Sequence, residues 1–176
     1  MSEANASGRA VVGGVMDRDA RREFVRKHRT AVFAYDRRRD GPAQSIVYYV
    51  TDGDDLLVST MGARAKAKAA ERLGRVSLCV LDEKWPPTYV VVYCNALIER
   101  EPKAVVDLMM RIAGVMAGKE MPESVRPMVE EGARREGRVV VRLTPYATFC
   151  TPPRHVHGPE DVSEKLTHEL GTMLPW

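Results

Sequence analysis

The sequence predicts a mainly β domain in which short antiparallel strands form a barrel or a sandwich with helices at its flanks. Apolar, β-branched residues occur in short runs, and turn signals such as Asp40-Gly41 separate these runs. Neither a Gly-x-Gly-x-x-Gly fingerprint nor a regular strand–helix alternation is present, so a nucleotide-binding parallel sheet is not expected. The length of 176 residues fits one domain.

A helix is predicted to begin at Asp17, because apolar residues recur after it at helical spacing while arginines occupy the other face. Three strands with short connections follow, and these predict an antiparallel meander. They are Thr30–Tyr35, Gln44–Thr51 and Leu56–Thr60.

The middle of the chain predicts one more helix and two more strands. Gly62–Leu73 is rich in Ala, Lys, Arg and Glu, which favour a helix, and Gly74 is a suitable stop. Val76–Leu81 is almost continuously apolar, which predicts a strand buried on both faces. Thr88–Ile98 predicts a long fifth strand.

Two helices and a closing strand complete the domain. The helices are predicted at Pro102–Met116 and Pro122–Arg135, and the sixth strand at Arg138–Thr144. We therefore expect a disordered segment at residues 1–15, a domain at 16–150 and a tail at 151–176, with a short helix at Pro159–Leu170.

Charge and composition limit the classes of partner. The formal net charge of +3 is too small to indicate nucleic-acid binding. Three cysteines without CxxC spacing indicate reduced thiols rather than a disulfide framework. No apolar run approaches the ~18 residues of a membrane span, so we expect a cytoplasmic protein that contacts neither membrane nor nucleic acid.

The most informative segment is Val58–Lys68, where a strand end leads into a helix that begins with basic residues. Arg64, Lys66 and Lys68 lie in its first turns, and the first acidic residue is Glu71. Each cation near a helix N-terminus costs a few tenths to ~1 kcal/mol unless an anion is bound. The segment predicts a phosphate site supported by the hydroxyls of Ser59 and Thr60, although a solvated basic face is an alternative.

Three further groups of residues have side chains that could carry chemistry. Tyr48 and Tyr49 are neighbours in a strand and therefore face opposite sides, and either could donate a proton to a substrate. His155 and His157 have no third ligand at convincing spacing, so no metal site is predicted. Arg37–Arg39 could steer an anion, or they could form a solvated hairpin tip.

Residues 24–99 resemble the pyridoxamine 5′-phosphate oxidase-like split-barrel family, especially its branch that uses the deazaflavin coenzyme F-420. The segments that carry the resemblance are FVRKHRTAVFAY, QSIVYYVTDGDDLLVST, GARAKAKAAERLGRVSLCVLDEK and PPTYVVVYCNALIE, and RVVVRLT matches the closing strand. The sequence departs from the family pattern in two places. Ala69 and Ala70 stand where asparagine is frequent, and Phe149 and Cys150 stand where tryptophan often follows.

The resemblance implies a six-stranded antiparallel split β-barrel with flanking helices that forms a homodimer, with two cofactor sites at the subunit interface. The implied cofactor is coenzyme F-420 or, alternatively, FMN, since both carry a ribityl phosphate. The implied contacts are Arg64, Ala65, Lys66 and Lys68 near the phosphate; Gln44, Ser45, Ile46 and Val47 along the ring; Ser59 and Thr60 at the ring edge or ribityl chain; and Trp85, Pro86 and Pro87 from the second subunit.

The activity that the resemblance implies is hydride transfer between a deazaflavin and a small conjugated or carbonyl-bearing substrate. Two alternatives remain open: an FMN-dependent oxidase or reductase of the same fold, and a non-catalytic protein that binds a flavin or deazaflavin. Tyr48 or Tyr49 is the candidate proton donor.

Overall fold

The structure is a computed structural model that describes residues 16–84, 87–151 and 171–176. It confirms a mainly β fold with flanking helices, consisting of one curled antiparallel sheet. The predicted disordered segment 1–15 and the predicted tail helix lie outside the described residues. None of the described helices has the length and apolar character needed to cross a bilayer.

The secondary structure follows the predicted order closely. The elements are α1 (Arg18–Lys27), β1 (Thr30–Asp36), β2 (Pro42–Tyr48), β3 (Val50–Asp52), β4 (Asp55–Met61), α2 (Ala65–Leu73), β5 (Arg75–Asp82), β6 (Thr88–Glu99), α3 (Pro102–Ala117), a single 3-10 turn (Glu123–Val125), α4 (Arg126–Glu136), β7 (Arg138–Cys150) and β8 (Thr172–Pro175). Asp17 caps α1 through its side chain, as its position predicts.

The strand order is β2-β1-β5-β6-β7-β4-β3, and β8 pairs with β7. The pairing expected of the predicted meander is present, because the predicted strand Gln44–Thr51 pairs with β1 through β2 and with β4 through β3. The pairing of the other edge of β4 with β7 was not predicted. The described sheet also has eight strands rather than six. The predicted strand Gln44–Thr51 divides at Tyr49, whose N–H donates to the Arg29 carbonyl, and β8 comes from the tail.

The prediction that the fourth strand is buried on both faces is also wrong. Burial alternates along β5, and Leu81 is 43% exposed while Leu78 and Val80 are fully buried. Alternation is what an antiparallel sheet with one covered face produces. The apolar run in the sequence reflects β-propensity as well as burial.

Two hydrophobic cores lie on opposite sides of the sheet. Side chains such as Phe33, Val58 and Leu78 fill the inside of the curl. The second core contains Leu57 of β4 and packs against apolar residues of α3 and α4, including Val105 and Ala133. Adjacent residues of β4 thus face different cores, and α3 and α4 cover the outer surface beside this strand.

Arg21 connects α1 to the end of the chain. Its side chain is fully buried, and its guanidinium donates to the carbonyls of Met16, Thr148 and Thr172 and to the hydroxyls of both threonines. All of these acceptors are neutral oxygens. Burying a cation is unfavourable unless such bonds replace its water, so Arg21 stabilises the docking of β8 only because every donor group is satisfied.

Substitution of Arg21 by methionine should lower the free energy of unfolding by about 2–4 kcal/mol, because buried carbonyls lose their donors. Arg18→Met is the control, since Arg18 donates to the Trp176 carbonyl in an exposed contact and its loss should cost less than about 1 kcal/mol. Urea denaturation followed by circular dichroism measures both. Equal losses in the two variants would contradict this role.

Candidate functional site

The site begins where β4 leads into α2. The N–H of Gly62 donates to the carbonyl of Gly137 at 2.8 Å, which joins this turn to the turn before β7. A Cβ at position 62 would lie 3.2 Å from Cγ1 of Val139 and 3.4 Å from the Gly137 carbonyl. Glycine therefore permits a close approach of the two turns, and this brings Arg64 near the first residue of β7, Arg138.

Within the described part of the chain, the start of α2 has no anionic or side-chain cap. Arg64 is the N-cap residue and makes no side-chain hydrogen bond to the helix, and the first turn contains no acidic residue. Basic side chains therefore lie beside the free N–H groups of the first turn, where the helix dipole is also positive. An anion at this position would satisfy both.

A cavity of about 400 Å³ opens beside this helix start. Its walls come from β2, β4, α2, α3 and the start of β7. The lining residues are Ile46, Val47, Tyr48, Ser59, Thr60, Met61, Arg64, Lys66, Met109, Ile112, Ala113, Met116 and Arg138. Six of the predicted cofactor contacts, those at positions 46, 47, 59, 60, 64 and 66, thus lie around one space together with Tyr48.

Three cations border this cavity. Burial lowers the pKa of the Lys66 ammonium below its ordinary value, and the nearby guanidinium groups of Arg64 and Arg138 lower it further. Lys66 Nζ also lies 5.9 Å from the centroid of the Phe33 ring. The three positive groups therefore repel one another, and the cavity lining contains no carboxylate among the residues that the structure describes. Such an arrangement fits an anionic ligand.

Arg138 is the member of this cluster that the sequence analysis missed. It pairs with Met61 across β4 and β7, so its position depends on a strand pairing between distant parts of the chain. The only local signal was a basic residue directly after a glycine at a strand start.

Hydroxyl groups line the cavity between the cations and the apolar wall. Ser59 Oγ is buried and has no hydrogen-bond partner in the described part of the chain, and Thr60 is 4% exposed. A buried hydroxyl without a partner is unfavourable, because its interaction with water has been lost without replacement. Ser59 is therefore suited to bond a ligand that enters the cavity.

The remaining wall is apolar. Met109, Ile112, Ala113 and Met116 recur at helical spacing along one face of α3, opposite β2. Ile46 is 77% exposed and Met116 is 62% exposed. A flat, partly apolar group could lie between these two elements, with an attached anion reaching the cations.

The structure does not bring every predicted contact to this cavity. Ala65 and Lys68 face a second cavity of about 430 Å³ on another side of α2. Its other lining residues are Tyr35, Asp36, Arg37, Arg38, Ala69 and Arg72. Gln44, Ser45 and Pro87 are not among the residues that line either cavity, and Trp85 and Pro86 lie outside the described residues.

The two candidate tyrosines have different surroundings, as their adjacent positions predict. Tyr49 is 1% exposed and its hydroxyl donates to the Val25 carbonyl at 2.5 Å. Burial raises the pKa of its phenol well above the usual range. Tyr49 is thus a core residue whose hydroxyl is already bonded, whereas Tyr48 is 38% exposed and borders the first cavity.

A larger cavity, of about 720 Å³, lies between the end of α1, β3 and α3. Several of its charged side chains are already paired, since Arg126 contacts both Asp107 and Glu123 and Arg111 donates to the Thr51 carbonyl. The lining of this cavity mixes carboxylates with cations, whereas the charged residues described around the cavity beside α2 are all cations, so size alone does not identify the larger cavity as the site.

Comparison with known proteins gives a family match and several similar folds. The model of the pyridoxamine 5′-phosphate oxidase family matches residues 18–149. A search of curated proteins finds no match. A conserved hypothetical protein of Mycobacterium tuberculosis has a TM-score of 0.68 at 22% identity, with 88% of this chain and 99% of that chain covered.

Two further solved structures are similar to this chain. One is an F-420 reductase, with a TM-score of 0.53 at 18% identity and coverage of 68% of this chain and 88% of the other. The second is a FAD-binding protein of Mesorhizobium loti, with a TM-score of 0.55 at 14% identity and coverage of 76% and 92%. At these identities the similarities establish the fold.

The lowered pKa of Lys66 makes a prediction about stability. A lysine that binds its proton more weakly when folded opposes folding while it is charged, and this cost disappears as the pH rises toward 10.5, where the unfolded chain also loses the proton. Lys66→Met should therefore stabilise the ligand-free protein near neutral pH, with a gain over wild type that shrinks toward pH 10.5. Denaturation at several pH values measures it.

Lys68→Met is the matched control, because the same change on the same helix faces the other cavity. It should give no comparable gain. The difference in unfolding free energy between Lys66→Met and wild type should therefore change with pH. A constant difference would contradict the cost of the charged Lys66 in the folded protein.

Proposed function

The chain belongs to the pyridoxamine 5′-phosphate oxidase family, and we propose that it is an oxidoreductase that binds the deazaflavin coenzyme F-420 in the cavity beside α2. The observation that carries the proposal is the set of three cations around an uncapped helix N-terminus, with the unbonded hydroxyl of Ser59 nearby. This is the chemistry that binds a phosphate group.

Each part of the cavity has a role in this proposal. Arg64 and Lys66 hold the cofactor's phosphate together with the first N–H groups of α2. Ser59 and Thr60 donate to the ribityl chain or the ring edge. The apolar wall from α3 and the side chains of Ile46 and Val47 enclose the ring and exclude water. The bound cofactor supplies the hydride chemistry, and the protein supplies orientation and a dry environment.

The substrate in this proposal is a small conjugated or carbonyl-bearing molecule that binds against the ring in the same cavity. Tyr48 is the candidate proton donor, because it borders the cavity and is not buried in the core. The hydroxyl would donate to a carbonyl oxygen of the substrate while the ring is positioned against the adjacent carbon.

The second cavity favours a deazaflavin over FMN. Arg37, Arg38, Lys68 and Arg72 surround it, with Asp36 as the acidic residue in its lining. A glutamylated tail such as that of coenzyme F-420 carries several carboxylates beyond the phosphate, and FMN carries none. Cations on two sides of α2 therefore suit the longer anionic cofactor. An FMN-dependent enzyme that uses the first cavity alone is the second candidate.

We also propose that the protein is a homodimer in which the second copy covers the mouth of the cavity. Ile46, Tyr48 and Met116 are large apolar or aromatic residues that remain exposed around this mouth. Exposed apolar groups concentrated at one place indicate an interaction surface. A second subunit there would complete the enclosure of the ring.

Binding measurements with two cofactors test the proposal. Lys66→Met should weaken FMN binding by about 10- to 100-fold, the cost of a lost charge-assisted contact, whereas Lys68→Met should leave it unchanged. With glutamylated coenzyme F-420, both variants should bind more weakly. Fluorescence titration of the wild-type apo-protein and the two variants with each cofactor measures the six dissociation constants.

Normal binding of both cofactors by Lys66→Met would refute the phosphate site. An effect of Lys66→Met on both cofactors without any effect of Lys68→Met would instead favour the FMN enzyme. Tight binding with no reduction of any conjugated or carbonyl acceptor would favour a non-catalytic binding protein.

The homodimer has its own test. Ile46→Lys should shift the protein toward monomer in sedimentation equilibrium, because a charge would be buried at the subunit contact. Met128→Lys is the control, since Met128 is 70% exposed on α4, which does not line the cavity. An unchanged mass for Ile46→Lys would contradict a contact at the cavity mouth.

A further inference from the structure

Arg138 differs from the other two cations of the cavity in its location. Arg64 and Lys66 belong to the start of α2, whereas Arg138 begins β7 and is held by pairing with Met61. The bond between Gly62 and Gly137 joins the two turns at this point. The guanidinium therefore approaches the anion position from a separate, rigid element.

Arg138 also has an acidic partner that does not line the cavity. Its Nε lies 2.6 Å from a carboxylate oxygen of Glu136, with 27% of the Arg138 side chain and 31% of the Glu136 side chain exposed. Glu136 is the last residue of α4, and Gly137 separates the two in a left-handed conformation with φ of 57°. The pair is therefore formed across a tight turn that fixes both ends.

We propose that Arg138 is a third ligand of the phosphate bound at α2 and that Glu136 competes with the phosphate for it. The inference rests on the proposed function of the cavity. When the site is empty, Glu136 neutralises Arg138 and reduces the repulsion among the cations. When a phosphate arrives, the guanidinium transfers its hydrogen bonds to the phosphate oxygens, and the half-exposed carboxylate returns to water.

The geometry favours an Arg138 that exchanges Glu136 for the phosphate over an Arg138 that stays paired with Glu136. Arg138 lines the cavity together with Arg64 and Lys66, and it lowers the pKa of Lys66, so its charge already acts within the site. A guanidinium has five N–H donors, and Glu136 engages the Nε group alone. The terminal amino groups of Arg138 can therefore make the first contact with an arriving anion, and the Nε group follows when it leaves Glu136.

The competition has a defined consequence for affinity. Each binding event must weaken an ion pair, so the carboxylate reduces the affinity for the phosphate. Removal of the carboxylate should then strengthen binding, and removal of the guanidinium should weaken it. These opposite signs are not expected if the pair only stabilises the turn.

The test compares a cofactor with its phosphate-free form. FMN and riboflavin, or coenzyme F-420 and the deazaflavin without its phosphate and tail, are titrated into the full-length protein. Arg138→Gln should weaken binding of the phosphorylated form by about 10-fold or more, and Glu136→Gln should strengthen it by about two- to fivefold. Neither should change binding of the phosphate-free form by more than about twofold.

Matched controls are available on α4. Arg134 and Glu131 form an ion pair at 2.7 Å that does not line the cavity. Arg134→Gln and Glu131→Gln make the same changes of charge and should leave all of the dissociation constants unchanged. A general electrostatic effect would instead appear in these variants too.

The outcomes separate this inference from the proposed function. If the wild-type protein binds the phosphorylated and phosphate-free forms equally, the phosphate site itself is refuted. If the wild type prefers the phosphorylated form and Arg138→Gln retains that full preference, Arg138 is not a ligand. If Arg138→Gln loses the preference but Glu136→Gln binds no more tightly than wild type, the competition is refuted.

Discussion

The candidate site depends on the close approach of two turns that are far apart in the chain. The N–H of Gly62 donates to the Gly137 carbonyl, and a Cβ at position 62 would lie only 3.2 Å from Val139 Cγ1. The start of α2 therefore lies directly against the start of β7. Without this approach, Arg64 and Lys66 would be ordinary surface cations on an alanine-rich helix. With this approach, Arg138 lies at the same cavity as Arg64 and Lys66, and the apolar face of α3 forms another wall of the cavity.

The same arrangement creates a conflict between stability and binding. Burial, and then repulsion by Arg64 and Arg138, lower the pKa of Lys66 in the ligand-free protein. The charged Lys66 therefore destabilises the folded state. Binding sites commonly contain such costs, because the interactions that would relieve them belong to the ligand. The buried, unbonded hydroxyl of Ser59 is a second example in the same cavity.

Features encoded locally were predictable from the sequence, and features that depend on distant pairing were not. The basic start of α2 and the opposite directions of Tyr48 and Tyr49 follow from helix electrostatics and strand geometry. No local pattern in the sequence indicates that β4 pairs with β7. The position of Arg138 at the cavity follows from this pairing and was therefore not predicted. Lys68 was assigned to the phosphate from its spacing, although in the folded helix it faces the second cavity.

The strand order also affects how the chain is made. On the ribosome, β4 emerges long before its partner β7, so the backbone edge of β4 that faces away from β3 has no neighbour while α3 and α4 are being synthesised. Unpaired edges of this kind attract other chains. The nascent protein therefore passes through a stage in which half of the sheet is open, and we expect chaperone binding to protect the newly made chain at that stage.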